Sequence, residues 1–145
     1  MSKGNLAGKP FLSPVHALLL AFPVALFPAG LLSDLTYLNT AEIQWSNFSS
    51  WLIAGASLFA GLLLLWALGS LFLGRLRART GKHLFYIVLV ALMFVAGTVN
   101  ALQHARDGWH SVGSLGVALS VLCTVVALLI GILAHTRFFV REKVA

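Results

Sequence analysis

Four long stretches of the chain contain no Asp, Glu, Lys or Arg, and charged residues stand only between them and at the two ends of the chain. They lie between Lys9 and Asp34, between Glu42 and Arg75, between Lys82 and Arg106, and between Asp107 and Arg137. Each holds a continuous apolar run, at about 11–33, 51–73, 84–104 and 112–135. A helix rising ~1.5 Å per residue needs roughly 20 such residues to cross a hydrocarbon core ~30 Å thick. Barrel strands are far shorter and alternate apolar with polar positions, so the continuity argues for helices. The short polar connections near 74–82 and 106–111 make the helices they join antiparallel neighbours. The pattern predicts an all-α integral membrane protein: one domain over 1–145, built as a four-transmembrane-helix antiparallel bundle. Ser33–Ser50, the longer polar connection, is expected outside the bilayer, with room for a short interfacial helix.

The first run begins like a secretory leader, but Pro23 and Pro28 interrupt its centre and it is long, so a permanent helix is expected. Each proline removes a backbone hydrogen bond, which favours a bent helix packed inside the bundle. Ala56 and Ala60, Gly97 and Ala101, and Ala127 and Gly131 recur at the spacing that lets helices approach closely.

Composition agrees. Hydrophobic residues make up 59% of the chain and charged residues 10%, with a mean hydropathy of +0.93. A soluble domain of this size has too little interior to hide that apolar surface, and a disordered chain is polar. The single cysteine, Cys123, excludes a disulfide framework and multi-thiolate metal sites. A net charge of +6 invites a nucleic-acid reading, yet the basic residues flank apolar runs, as in membrane proteins. Lys3, Lys9, Arg75, Arg77, Arg79, Lys82, Arg137, Arg141 and Lys143 fall on one side of a four-span topology, and Arg106 alone on the other. The positive-inside rule then makes both termini cytoplasmic and sets Trp45, Trp51 and Trp109 at the outer interface.

No soluble catalytic constellation is present: the four acids are scattered, and no glycine-rich phosphate loop follows a strand. The candidate chemistry lies at the ends of the spans. His16, His83 and His135 come to the cytoplasmic end on three different helices. Imidazoles converging at one depth in a bilayer suit bis-histidine ligation of haem iron. Gly131, one turn before His135, would leave room for a flat macrocycle, and Tyr86 would supply a supporting hydrogen bond. These five residues form the candidate cofactor site, with haem b favoured over a bare zinc or copper ion. Interfacial histidines that simply reach water are the plain alternative. On the outer side, Asp34, Asn100, Gln103 and His104 form a second candidate site, either for a quinone headgroup or for structural hydrogen bonding between helices. His83 and His104 cannot share a haem, because 21 residues of one helix separate them by ~31 Å.

The run Ser13–Leu26, with His16 and Phe22-Pro23, followed by Asp34, resembles the opening of the bacterial membrane family known as domain of unknown function 2231. His83 at the start of the third span, Arg106-Asp107-Gly108-Trp109 before the fourth, and His135 at its end extend the resemblance to about Ser13–His135. Ala17 departs from it, standing where a proline usually follows the first histidine. The resemblance implies a four-helix protein of the bacterial inner membrane with no assigned reaction. It also implies His16 and His83 as the first choice of axial pair, and a periplasmic dehydrogenase as a partner. Two functions follow as expectations. One is a b-type haem electron-transfer module working with quinone or a periplasmic redox partner; the other is a non-catalytic membrane anchor or accessory subunit of a larger complex. Neither commits the chain to being an enzyme.

Overall fold

The computed structural model describes residues 14–72, 81–106 and 112–135, with the side chains at 72 and 81–83 excepted. Four helices follow one another: α1 (Pro14–Thr40), α2 (Ile43–Phe72), α3 (Gly81–His104) and α4 (Ser114–His135). All four are long and apolar enough to cross a membrane, and the described residues contain no strand.

The polar connection expected at Ser33–Ser50, with room for a short interfacial helix, is almost entirely helical. Only Ala41 and Glu42 interrupt it. The hydropathy change there marks where lipid gives way to headgroups, not where the helix ends. The polar side chains support the helix instead of breaking it. Ser33, Thr36, Asn39 and Thr40 each donate to the carbonyl four residues earlier, at 3.0, 2.8, 2.7 and 2.8 Å. The turn closes at Ala41, whose N–H donates to the Tyr37 carbonyl at 2.8 Å and whose φ of 54° lies in the left-handed region. The first span also runs helically through both Pro23 and Pro28, and Pro23 is fully buried.

In cross-section the helices form a ring, each packed on the next, with α1 closing against α4. Hydrogen bonds fix their directions. The start of α1 meets the start of α3 through His16 and Tyr86, and the end of α1 meets the end of α3 through Asp34 and His104. Asp34 also reaches the beginnings of α2 and α4, so those two helices run the other way. The bundle is therefore up-down-up-down, as its short connections require.

The middle of the bundle is dry. Leu20, Phe27, Ile53, Leu63, Val90, Met93 and Ile130 interdigitate there around Ala56, Ala60 and Ala127. Two glycines set how closely the helices approach. A Cβ on Gly97 would sit 2.7 Å from both Phe27 Cζ and Ser57 Oγ, and one on Gly61 would sit 2.8 Å from Phe94 Cε2. The outer surface is the reverse of a soluble protein's, with Leu18, Leu32, Leu58, Leu65, Leu84 and Ile132 all exposed. Such a continuous apolar surface is a liability in water and a requirement in hydrocarbon.

Candidate functional site

Asp34, Ser49 and Ser120 come to one depth. Asp34 lies six residues before the end of α1 at Thr40, Ser49 six after the start of α2 at Ile43, and Ser120 six after the start of α4 at Ser114. Six residues of helix are ~9 Å of rise. His104, the last residue of α3, joins them because helical side chains lean toward their own N-terminus, which carries its ring back into the bundle. One residue from each helix therefore meets in a single layer.

Asp34 is the centre of that layer and has no exposed surface. Its Oδ1 accepts a hydrogen bond from Ser49 Oγ and lies 2.9 Å from His104 Nε2; its Oδ2 accepts from Ser120 Oγ at 2.6 Å. His104 Nδ1 lies 2.9 Å from the Asn100 carbonyl oxygen, which can only accept. Nδ1 must therefore carry a proton. The contact from Nε2 to Oδ1 then needs one more proton, either on the imidazole, giving an ion pair, or on the carboxyl, giving a neutral pair. In both cases Asp34 and His104 together hold one proton between them and carry no net charge. This is how a carboxylate is tolerated at such depth, since an unpaired ion in a low-dielectric interior is prohibitively costly.

Asn100, one turn deeper on α3, extends the network by donating from Nδ2 to Ser120 Oγ at 3.0 Å. Its amide orientation is not arbitrary. Ser120 gives its own proton to Asp34, so its oxygen is left to accept and must face the Asn100 nitrogen. Ser50 Oγ lies 3.0 Å from the Ser46 carbonyl and 3.4 Å from that of His104, a further tie between α2 and α3.

Of the four outer-side residues chosen from sequence, the structure brings Asp34, Asn100 and His104 together. Gln103 is half-buried and is not part of the layer, because adjacent residues on a helix point about 100° apart. Ser49 and Ser120 were not among the sequence candidates. The signal that finds them is their matched depth, six residues into their helices, opposite an acid six residues from the end of its own.

At the other end of the bundle, His16 is buried with its Nε2 2.8 Å from the Tyr86 hydroxyl, the two rings tilted by 41° at a centroid distance of 5.5 Å. Tyr86 thus bonds to His16 across the bundle, from α3 to α1. His135 is exposed, and its Nδ1 donates to the Gly131 carbonyl at 2.8 Å. The space beside Gly131 is filled by Val24, whose Cγ2 would lie 3.2 Å from a Cβ there. The side chain of His83 lies outside the described residues, as do Asp107 and His110. Among the described residues, no group of three or more His, Cys, Asp or Glu is placed to hold a metal ion. A macrocycle beside His135 would need the space at Gly131 that Val24 fills, and a metal on His16 Nε2 would have to displace its hydrogen bond with Tyr86.

The family model for predicted membrane proteins with domain of unknown function 2231 matches residues 12–138. No curated protein and no solved structure matches the chain. The matched region takes in all four helices and both polar ends, and the chain is a member of that family of membrane proteins.

Proposed function

We propose that this chain is a membrane-embedded accessory subunit that takes up and releases a proton at the Asp34–His104 pair. The observation that carries the reading is the fully buried carboxylate held by donors from the three other helices, one of them an imidazole. Ionisable groups within a membrane bundle are expensive, and those present commonly serve ion or proton traffic. The layer is built for two protonation states. With the shared proton, the pair is neutral; without it, the carboxylate keeps the Ser49 and Ser120 hydroxyls while the imidazole becomes a neutral base. Proximity to the end of the bundle, ~9 Å of helix away, gives the proton a short route to water.

The split of basic residues supports a reading in which that end faces the periplasm from a bacterial inner membrane, with both termini in the cytoplasm. A quinone headgroup or a dehydrogenase docked at that face would be the chemical partner, because its reduction and oxidation consume and release protons. Infrared difference spectroscopy of the purified protein between about pH 5 and about pH 9 tests the reading, a range in which histidine pairs titrate. The expected result is a pH-dependent change in carboxyl, carboxylate or imidazole bands that is lost in Asp34→Asn and altered in His104→Gln. No such pH-dependent change in either partner over that range would leave the layer a purely structural tie between helices.

A second reading places a b-type haem at the His16 end. Its support is that His16, Tyr86 and His135 gather at that end, with His83 at the start of α3 as the remaining candidate ligand. His16 and His83 would hold the iron, and the group would supply one-electron chemistry. A reduced-minus-oxidised spectrum lacking Soret and visible haem bands rules this reading out; bands lost in His16→Ala establish it.

A further inference from the structure

One turn below the Asp34 layer, two buried polar atoms have no hydrogen-bond partner in the protein: Asn100 Oδ1 and Thr124 Oγ1. Asn100 has no exposed surface and Thr124 only 9%. Asn100 lies on α3 and Thr124 on α4, the two helices that the Asn100–Ser120 hydrogen bond joins. Asn100 is one turn before His104, and Thr124 is one turn after Ser120 on the same face of α4. The Asn100 head is already tied to α4 by its Nδ2 on Ser120, which holds Oδ1, the other arm of the same planar amide, beside that helix.

Thr124 is also unlike other hydroxyls in the bundle. Ser33, Thr36, Thr40, Ser50, Ser57 and Thr98 each meet the carbonyl four residues earlier. Such back-bonding is the cheapest way for a buried hydroxyl to satisfy itself in a helix. Thr124 does not use it, so its proton is left for something else. Asn100 Oδ1 is a pure acceptor facing the same problem from the other side.

We infer that Asn100 Oδ1 and Thr124 Oγ1 bind an internal water molecule between α3 and α4, directly beneath the Asp34–His104 layer. Water is the one small guest that satisfies both atoms at once. It accepts the Thr124 proton and donates one of its own to Asn100 Oδ1. Its second O–H meets an open lone pair on Ser120 Oγ or Asp34 Oδ2, giving the roughly three hydrogen bonds that buried waters usually make. Charge decides against a monovalent cation. The Asp34–His104 pair is already neutral, so a cation beside it would add an uncompensated charge in a low-dielectric interior. The site does not depend on the pair exchanging its proton. Its consequence is that the polar network ends in water on its inner face, just short of the dry layer formed by Phe27, Val90, Met93 and Ile130.

The experiment turns on the direction of one stability change. Thr124→Val keeps the shape of the side chain and removes the hydroxyl. With the water present, the substitution deprives it of a partner and strands Asn100 Oδ1, so the melting temperature of the purified protein falls. In infrared spectra, a water O–H band sensitive to H2-18O exchange is lost at the same time. If Thr124 is merely an orphaned hydroxyl, the valine removes a buried unsatisfied group and the melting temperature rises, which overturns the inference. A wild-type melting temperature that drops when NaCl is replaced by choline chloride also overturns it, because the guest is then a cation. Asn100→Leu provides the second arm: it removes the same water band, and a band that persists in it places the water elsewhere. The pH-dependent bands of the Asp34–His104 pair are read in the same spectra, so failure of the water site and failure of the proton-exchange reading are told apart.

Discussion

At one end of the bundle, a carboxylate gathers hydrogen bonds from three other helices; at the other, one hydrogen bond joins His16 to Tyr86 across α1 and α3. About 27 Å of α3 separates the two, the rise from Tyr86 to His104. The Asp34 end is closed: its acid and imidazole have no exposed side-chain surface. At the other end, among the described residues, His16 is buried and His135 exposed. Polar side chains in a bilayer can serve as glue or as working groups, and the two ends differ in which demand they meet. A hydrogen bond between an imidazole and a phenol needs no counter-charge. A buried acid needs a counterpart for its charge as well as for its lone pairs, and it recruits a side chain from every helix in the ring.

Breaking each end measures that difference. Asp34→Ala is expected to have the largest effect. It strands the Ser49 and Ser120 hydroxyls and the His104 ring together, and removal of one member of a buried pair typically costs about 3–5 kcal/mol. Equilibrium unfolding in mixed detergent micelles should show that loss, and a cost under about 1 kcal/mol would contradict the layer described here. Tyr86→Phe removes one hydroxyl from the His16 end and should cost about 0.5–1.5 kcal/mol by the same assay, leaving the infrared signal of Asp34 unchanged. A shift in that signal would show the two ends to be coupled through the dry middle. The smallest change is expected at Ala41, whose φ of 54° disfavours any residue with a Cβ. Ala41→Gly should raise stability by about 0.5–1 kcal/mol, because glycine adopts that conformation freely.

Much of this architecture was legible in the sequence. Four uncharged runs of sufficient length leave little choice of fold, and the depth of Asp34, Asn100 and His104 follows from counting residues toward the outer ends. The limits are instructive. Ser33–Ser50 reads as a long connection between spans because hydropathy reports the solvent, whereas helix continuation is decided by hydrogen bonds that Ser33, Thr36, Asn39 and Thr40 return to their own backbone. Ser49 and Ser120 escape notice because a serine carries no charge and tolerates a helix, so its importance appears only with its partner. That partner is 15 residues from one and 86 from the other. Gln103 shares the outer end of α3 with His104, and depth along a helix does not fix which way a side chain faces around its axis. Gly131 illustrates another limit: an absent side chain signals space in a sequence, but here Val24 of a neighbouring helix fills it.

The two-residue turn at Ala41–Glu42 bears on how the protein enters its membrane. With so short a link, α1 and α2 form a helical hairpin whose helices can pair as soon as both have been made, before α3 and α4 are available. Asp34 must cross or enter the bilayer within that hairpin, at a time when His104 and Ser120 have yet to be synthesised. Ser49 lies in the same hairpin and already donates to Oδ1. The first hydrogen bond of the finished layer is thus one that the nascent hairpin makes by itself, and it meets the acid with a partner during assembly until the later helices complete its neutralisation.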